Sequence, residues 1–141
     1  MHVVLGLVAL MFLGGCVVPV ATKHELSEPL TSVPGDPERG RALVFNRAET
    51  SCVLCHAVPG APGPAGNIGP PLAGTGARNT LAELRLRLVD PTRINPDSVM
   101  PAYHRVEGLE RVATAFRGKP ILTAQQIEDI VAYLATLKDS P

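Results

Sequence analysis

Apolar positions recur at helical spacing in several stretches of the chain, and no segment alternates convincingly with period two. The clearest helix is the last, where Ile127, Ile130, Val131, Leu134 and Leu137 make a continuous stripe behind a Thr123/Gln126 capping box. A second helix opens on Thr80 and Glu83, again with capping-box spacing, carries Leu81, Leu84 and Leu88 on one face, and stops at Pro91. Asp36, Pro37 and Glu38 start another, with a side-chain acceptor at the cap, Pro at the first helical position and an acid in the first turn. It carries Ala42, Leu43 and Val44 toward Phe45. Between these helices, five Pro and six Gly fall between Pro59 and Gly76 and mark a long irregular loop, and a second irregular stretch runs through Pro96 and Pro101. The pattern predicts one all-α domain over residues 36–138, its few helices joined by loops long enough to wrap a cofactor.

Upstream of that domain the pattern changes. Val3 to Ala21 carries no charge and passes through the small residues Gly14, Gly15 and Cys16, so residues 1–21 read as an export segment. Leu13-Gly14-Gly15-Cys16 resembles the lipobox of bacterial lipoproteins, which makes Cys16 the candidate lipid anchor; simple cleavage and an uncleaved span are the alternatives. All three put the rest of the chain outside the cytoplasm. Residues 22–35, polar and broken by Pro29 and Pro34, read as a flexible tether in which His24 is a solvent-exposed histidine.

Composition sharpens the cofactor reading. A chain of 141 residues with 45% hydrophobic content suits one core, yet only 4% of residues are aromatic and none is Trp, while Gly numbers 13 and Pro 14. A buried prosthetic group would supply the missing apolar bulk. Lys plus Arg equals Asp plus Glu at 13 each, which argues against nucleic acid as a partner. Arg85, Arg87, Arg105, Arg111 and Arg117 are interspersed with acids and read as a solvated helix face or as a docking patch for a redox partner.

The chemistry sits in Cys52-Val53-Leu54-Cys55-His56, the C-x-x-C-H sequence of covalent haem c attachment. Two cysteines three positions apart lie about one helical turn from each other and can reach both vinyl groups along one porphyrin edge; the next residue, His56, is then held under the iron. A thiol redox pair has no need of the adjoining His and usually sits on a βαβ pattern. A zinc site needs a fourth ligand, for which His104 is the candidate.

Beyond the export segment and tether the only methionine is Met100, 44 residues after His56 in an irregular loop just before Pro101. A methionine there fills a core gap or closes over the far face of the ring as the sixth ligand. The second reading is favoured, with His104 as the reserve ligand. Thioether and imidazole together fill both axial positions, which implies electron transfer rather than catalysis at the iron.

Gly69-Pro70-Pro71-Leu72 resembles the G-P-x-L segment of class I cytochromes c, and by that resemblance the Pro70 carbonyl accepts the His56 N–H. Gly40 and Tyr133 resemble the positions where that family's first and last helices cross. Residues 84–90, Asn95-Pro96-Asp97, Met100 to Val106 and Gly118 to Gln126 resemble SoxX, the family of small monohaem subunits of the periplasmic Sox thiosulfate-oxidising system. The resemblance implies a heterodimer with a SoxA-like haem protein and oxidative coupling of thiosulfate to a cysteine of the carrier SoxYZ. It also implies a downstream cytochrome c acceptor and, for the complex, L-cysteine S-thiosulfotransferase activity with this chain taking the electrons. A stand-alone carrier serving a respiratory oxidase is the alternative. The segment 59–66 matches no functional piece of the family.

Overall fold

The computed structural model describes residues 25–139, and among them there are helices and no strands. The export segment, Cys16 and His24 lie outside the described residues. In chain order the helices are α1 (Pro37–Phe45), α2 (Cys52–Cys55), α3 (Thr75–Arg78), α4 (Leu81–Val89) and α5 (Ala124–Thr136), with short 3-10 turns at Pro91–Arg93 and Thr114–Phe116.

The three expected helix starts are present, each closed by the side chain that the sequence offers for it. Asp36 accepts from the N–H groups of Glu38 and Arg39, and both capping boxes, Thr80 with Glu83 and Thr123 with Gln126, are formed in both directions. Such caps satisfy backbone donors that a helix cannot pair internally. Helix α3 begins inside the glycine- and proline-rich stretch expected to be irregular throughout; it has four residues and is entered through Gly74 in the left-handed region, at φ 69°.

Helix α5 is the central beam. Its stripe of Ile127, Ile130, Val131 and Leu134 is buried against Val44 of α1 and Leu84 and Leu88 of α4, and Leu137 packs at the edge of this core. Burying each such side chain is worth roughly 1.5–3 kcal/mol. Helices α1 and α5 cross at Gly40, where an added Cβ would lie 1.9 Å from the Asp129 carbonyl oxygen and 2.9 Å from Cβ of Tyr133. Only glycine permits that approach. The Tyr133 ring meets Phe45 edge to face, with centroids 6.3 Å apart.

Helix α4 departs from its expected face. Leu81 is exposed, whereas Leu86 and Arg85 are buried, because the helix is covered on two sides, by α5 and by the segment before α1. Arg85 is therefore no solvated cation. Its Nε and Nη2 donate to the Glu128 carboxylate at 2.7 and 3.0 Å, and its Nη1 donates to the Leu26 carbonyl at 2.6 Å. Glu128 also accepts from the Leu30 N–H at 3.0 Å. From residue 25 onward, the segment expected as a tether carries no helix or strand but lies along α4 and α5, held at Leu26, Leu30 and Asp36. A second bidentate pair closes its end: Arg39 grips Asp129 at 2.8 and 2.9 Å, and the Asp36 N–H donates to the same carboxylate.

Candidate functional site

Helix α2 is a single turn made of the Cys-Val-Leu-Cys run. It is entered through Ser51 at φ 58°, a left-handed conformation costly for a residue with a Cβ, and the Ser51 hydroxyl ties back to the Arg47 carbonyl at 3.0 Å. The turn closes where the His56 N–H donates to the Cys52 carbonyl at 2.9 Å. His56 itself is extended, at φ −113° and ψ 141°, so the chain leaves the turn at the residue that carries the imidazole. Two thiols one turn apart, followed at once by a ring on an extended residue, is the local geometry that the five-residue motif dictates.

The imidazole is fixed from behind by the next loop. Nδ1 of His56 lies 2.7 Å from the Pro70 carbonyl oxygen; a carbonyl only accepts, so Nδ1 carries a proton, and in the neutral ring the lone pair is on Nε2. Gly69 lies flat against the same ring, where an added Cβ would fall 2.3 Å from Cε1 and 2.6 Å from Nδ1. The Gly69 N–H donates to the Cys55 carbonyl at 2.8 Å and the Leu72 N–H to the Ala57 carbonyl at 2.9 Å, which fastens the Gly-Pro-Pro-Leu segment to the motif. Arg78 of α3 donates to the Ala73 carbonyl at 2.9 Å and bears on that of Pro71 at 3.4 Å.

A second loop runs from the end of α4. Asp90 caps the Pro91–Arg93 turn through the Thr92 N–H and hydroxyl, and pairs with Arg105 at 3.3 Å. Met100 is half-buried and packs against the hydrophobic core that contains Cys52 and Val53, while the preceding Val99 is exposed. Tyr103 is buried and donates its hydroxyl to the Thr50 carbonyl at 2.6 Å, bridging this loop to the residue two before Cys52. His104 turns elsewhere: its Nδ1 lies 2.8 Å from the Leu122 carbonyl oxygen.

These residues fit a covalent haem better than the alternatives weighed from sequence. Burial pushes the Cys52 thiol above its usual range, the opposite of what a nucleophilic redox thiol needs. Among the described residues no three or more His, Cys, Asp or Glu are grouped to hold a metal ion, so a zinc set of the two cysteines, His56 and His104 is not assembled. A buried thiol and a half-buried one on a single turn, beside an imidazole whose free lone pair is Nε2, are the donors that porphyrin attachment requires.

Sequence reasoning missed Ser51, Thr50 and Tyr103. The first two leave no signal, since nothing in Thr-Ser marks a left-handed entry; a tyrosine in a chain with only two was the available hint for the third.

The family model for cytochrome c matches residues 37–138. Among solved structures, the chain is similar to one in the crystal structure of SoxXA from P. pantotrophus, with 38% identity and a TM-score of 0.76 over 85% of this chain and 94% of that one. No curated protein matches.

Proposed function

The chain belongs to the cytochrome c family, in the branch represented by SoxX, and from that premise we propose that it is the electron-accepting subunit of a SoxXA-type complex that oxidises thiosulfate outside the cytoplasm. Haem c, covalently bound, is the cofactor of this family. Cys52 and Cys55 would form the thioethers, His56 Nε2 and the Met100 sulfur would hold the iron, and the bound group would supply a one-electron couple.

The residues do the positioning. The Pro70 carbonyl accepts a hydrogen bond from the Nδ1–H of His56, which fixes the tautomer and aims Nε2 away from the loop. Gly69, having no side chain, leaves the room that the ring occupies. Helix α2 sets the two cysteines one turn apart, and Cys52 is buried away from water. With His56 and Met100 both holding the iron, the bound group would supply electron transfer and the sulfur chemistry would fall to a partner.

The partner in this reading is a SoxA-like haem protein, and the acceptor of the sulfur is a cysteine of a SoxYZ-like carrier. Joining a carrier thiol to the outer sulfur of thiosulfate forms one S–S bond, releases one proton and frees two electrons, which a monohaem subunit must pass on singly to a downstream cytochrome c. The complex would then be an L-cysteine S-thiosulfotransferase working in the periplasm. Among the described residues no helix is long and apolar enough to cross a membrane. Attachment to the membrane, in this reading, falls to a lipid on Cys16. The observation that carries the proposal is the 38% identity to a SoxXA chain over nearly the whole length of that chain.

The test is purification from the native host followed by mixing with thiosulfate and the carrier. A copurifying haem partner and thiosulfate-dependent reduction of this chain's haem are expected. A protein that arrives alone and stays ferric in that mixture would overturn the assignment.

A further inference from the structure

His56 directly follows α2 and Met100 lies in the loop after α4, and one buried side chain joins the two regions. Tyr103, three residues after Met100, is 5% exposed and donates its hydroxyl to the Thr50 carbonyl at 2.6 Å. Thr50 is equally enclosed: its own hydroxyl donates to the Leu43 carbonyl at the end of α1 at 2.7 Å, and its carbonyl precedes the left-handed Ser51 that launches α2. The Tyr103 backbone is anchored as well, its N–H donating to the Leu88 carbonyl at 3.0 Å and its carbonyl accepting from the Leu122 N–H at 2.9 Å. Tyr103 is thus pinned to α4, to the segment before α5 and, through its hydroxyl and its packing beside Cys52 and Val53, to the turn that carries both cysteines.

We propose that Tyr103 is a positioning residue, a latch whose hydroxyl holds the Met100 loop against the cysteine-bearing turn and so sets how readily the methionine lets go of the iron. The proposal rests on Met100 being the sixth ligand. Swinging Met100 away requires the 90–105 loop to leave the turn. The Tyr103 bond must then break inside the core, where a bare carbonyl on Thr50 finds no water to replace it. The latch therefore adds to the cost of opening, and an external ligand must meet that cost before it can bind.

The experiment is imidazole titration of the purified ferric holoprotein, followed through the near-infrared methionine-to-iron charge-transfer band, for the unaltered chain, Tyr103→Phe, Met100→Ala and Glu128→Gln. Tyr103→Phe keeps the ring and removes the hydroxyl; imidazole is expected to bind about tenfold more tightly, the factor that one buried hydrogen bond carries. Glu128→Gln weakens the fold on the far side of α5 and is expected to bind as the unaltered chain does, which separates latching from general loss of stability. If Met100→Ala loses the band and binds imidazole far more tightly while Tyr103→Phe stays within about twofold of the unaltered chain, the latch is wrong and the ligand assignment stands. If the unaltered chain lacks the band and Met100→Ala titrates identically, the ligand assignment fails and the latch with it. Should Tyr103→Phe not accumulate, the Tyr103 hydroxyl proton of the unaltered holoprotein replaces it: its slowly exchanging magnetic resonance signal is expected to be lost at saturating imidazole, and a signal that persists unchanged would overturn the latch.

Discussion

In the helical frame of α1, α4 and α5, most buried side chains are aliphatic, and the polar exceptions are whole ion pairs: Arg85 with Glu128, and the buried Asp129 with the more exposed Arg39. In the two loops, over residues 46–76 and 90–122, regular structure shrinks to single turns, and order comes from side chains and carbonyls that reach across: Tyr103 to Thr50, His56 to Pro70, Arg78 to Ala73, His104 to Leu122. The frame is stabilised by burial that any helical bundle could use. The loops bury fewer apolar side chains, Cys52, Val53, Val58, Tyr103 and Leu122, and leave Leu54, Ile68, Val99 and Phe116 exposed; a prosthetic group would add the apolar bulk they lack. Stability and chemistry are therefore lodged in different parts of one chain, and substitutions should separate them.

The largest effect is expected from removing the thioether carbons' partners. In a Cys52→Ser, Cys55→Ser double variant, covalent haem should fall to nothing, because His56 and Met100 can offer only a dissociable complex. Mass spectrometry under denaturing conditions reads this directly: the polypeptide should weigh no more than its amino acids. Haem that remains attached would mean that the loops hold their cofactor in some other way.

The same division governs what could be read from the residues alone. The frame was legible because its signals are local: a Thr with an acid or amide three positions on, an apolar stripe at helical spacing, and Asp-Pro at a helix start each act within one turn. The attachment motif was legible for the same reason. What stayed hidden depends on contacts distant in sequence. Arg85 looked like a surface cation because nothing near it in the chain announces Glu128, 43 residues on, or the Leu26 carbonyl. The segment before α1 looked like a free tether because its anchors are backbone groups, which have no sequence signature. The latch from Tyr103 to Thr50 spans 53 residues and could be seen only in three dimensions.

Glu128→Ala strikes the frame and leaves the loops alone. It strands the Arg85 guanidinium in the core and deprives the Leu30 N–H of its acceptor, and removing one partner of a buried pair costs about 3–5 kcal/mol. Denaturant unfolding of the holoprotein should show that loss, with covalent haem content and the methionine-to-iron band unchanged. A loss below about 1 kcal/mol would mean that the pair is solvated and the strap loosely held.

Gly69→Ala strikes the loops and leaves the frame alone. The new methyl group would overlap the His56 ring at 2.3 Å, so the ring must turn and its bond to Pro70 must lengthen. Overpacking of this kind costs about 1–3 kcal/mol. The more telling change is in the iron's spectrum: a reoriented imidazole should alter the electron paramagnetic resonance of the ferric protein, which Glu128→Ala should not do. An unchanged spectrum would show that Gly69 does not set the ring's orientation.

The smallest effect belongs to pH and to Asp129. Burial alone would push this carboxyl up, but the bidentate Arg39 guanidinium, the Asp36 N–H and the Gln125 amide together hold it below the usual carboxylate range. A carboxylate with a depressed folded-state pKa binds protons more readily when the chain unfolds, so its contribution is complete above the unfolded value, about 3.9, and is lost as pH falls through the folded one. The stability difference between the unaltered chain and Asp129→Asn should therefore be level from neutrality down to about pH 5 and shrink only below about pH 4. Because Arg39 is itself solvent-exposed, added salt should reduce the difference at every pH. A difference that instead grew on acidification would reverse the sign of the argument and place Asp129 among carboxyls that the fold prefers protonated.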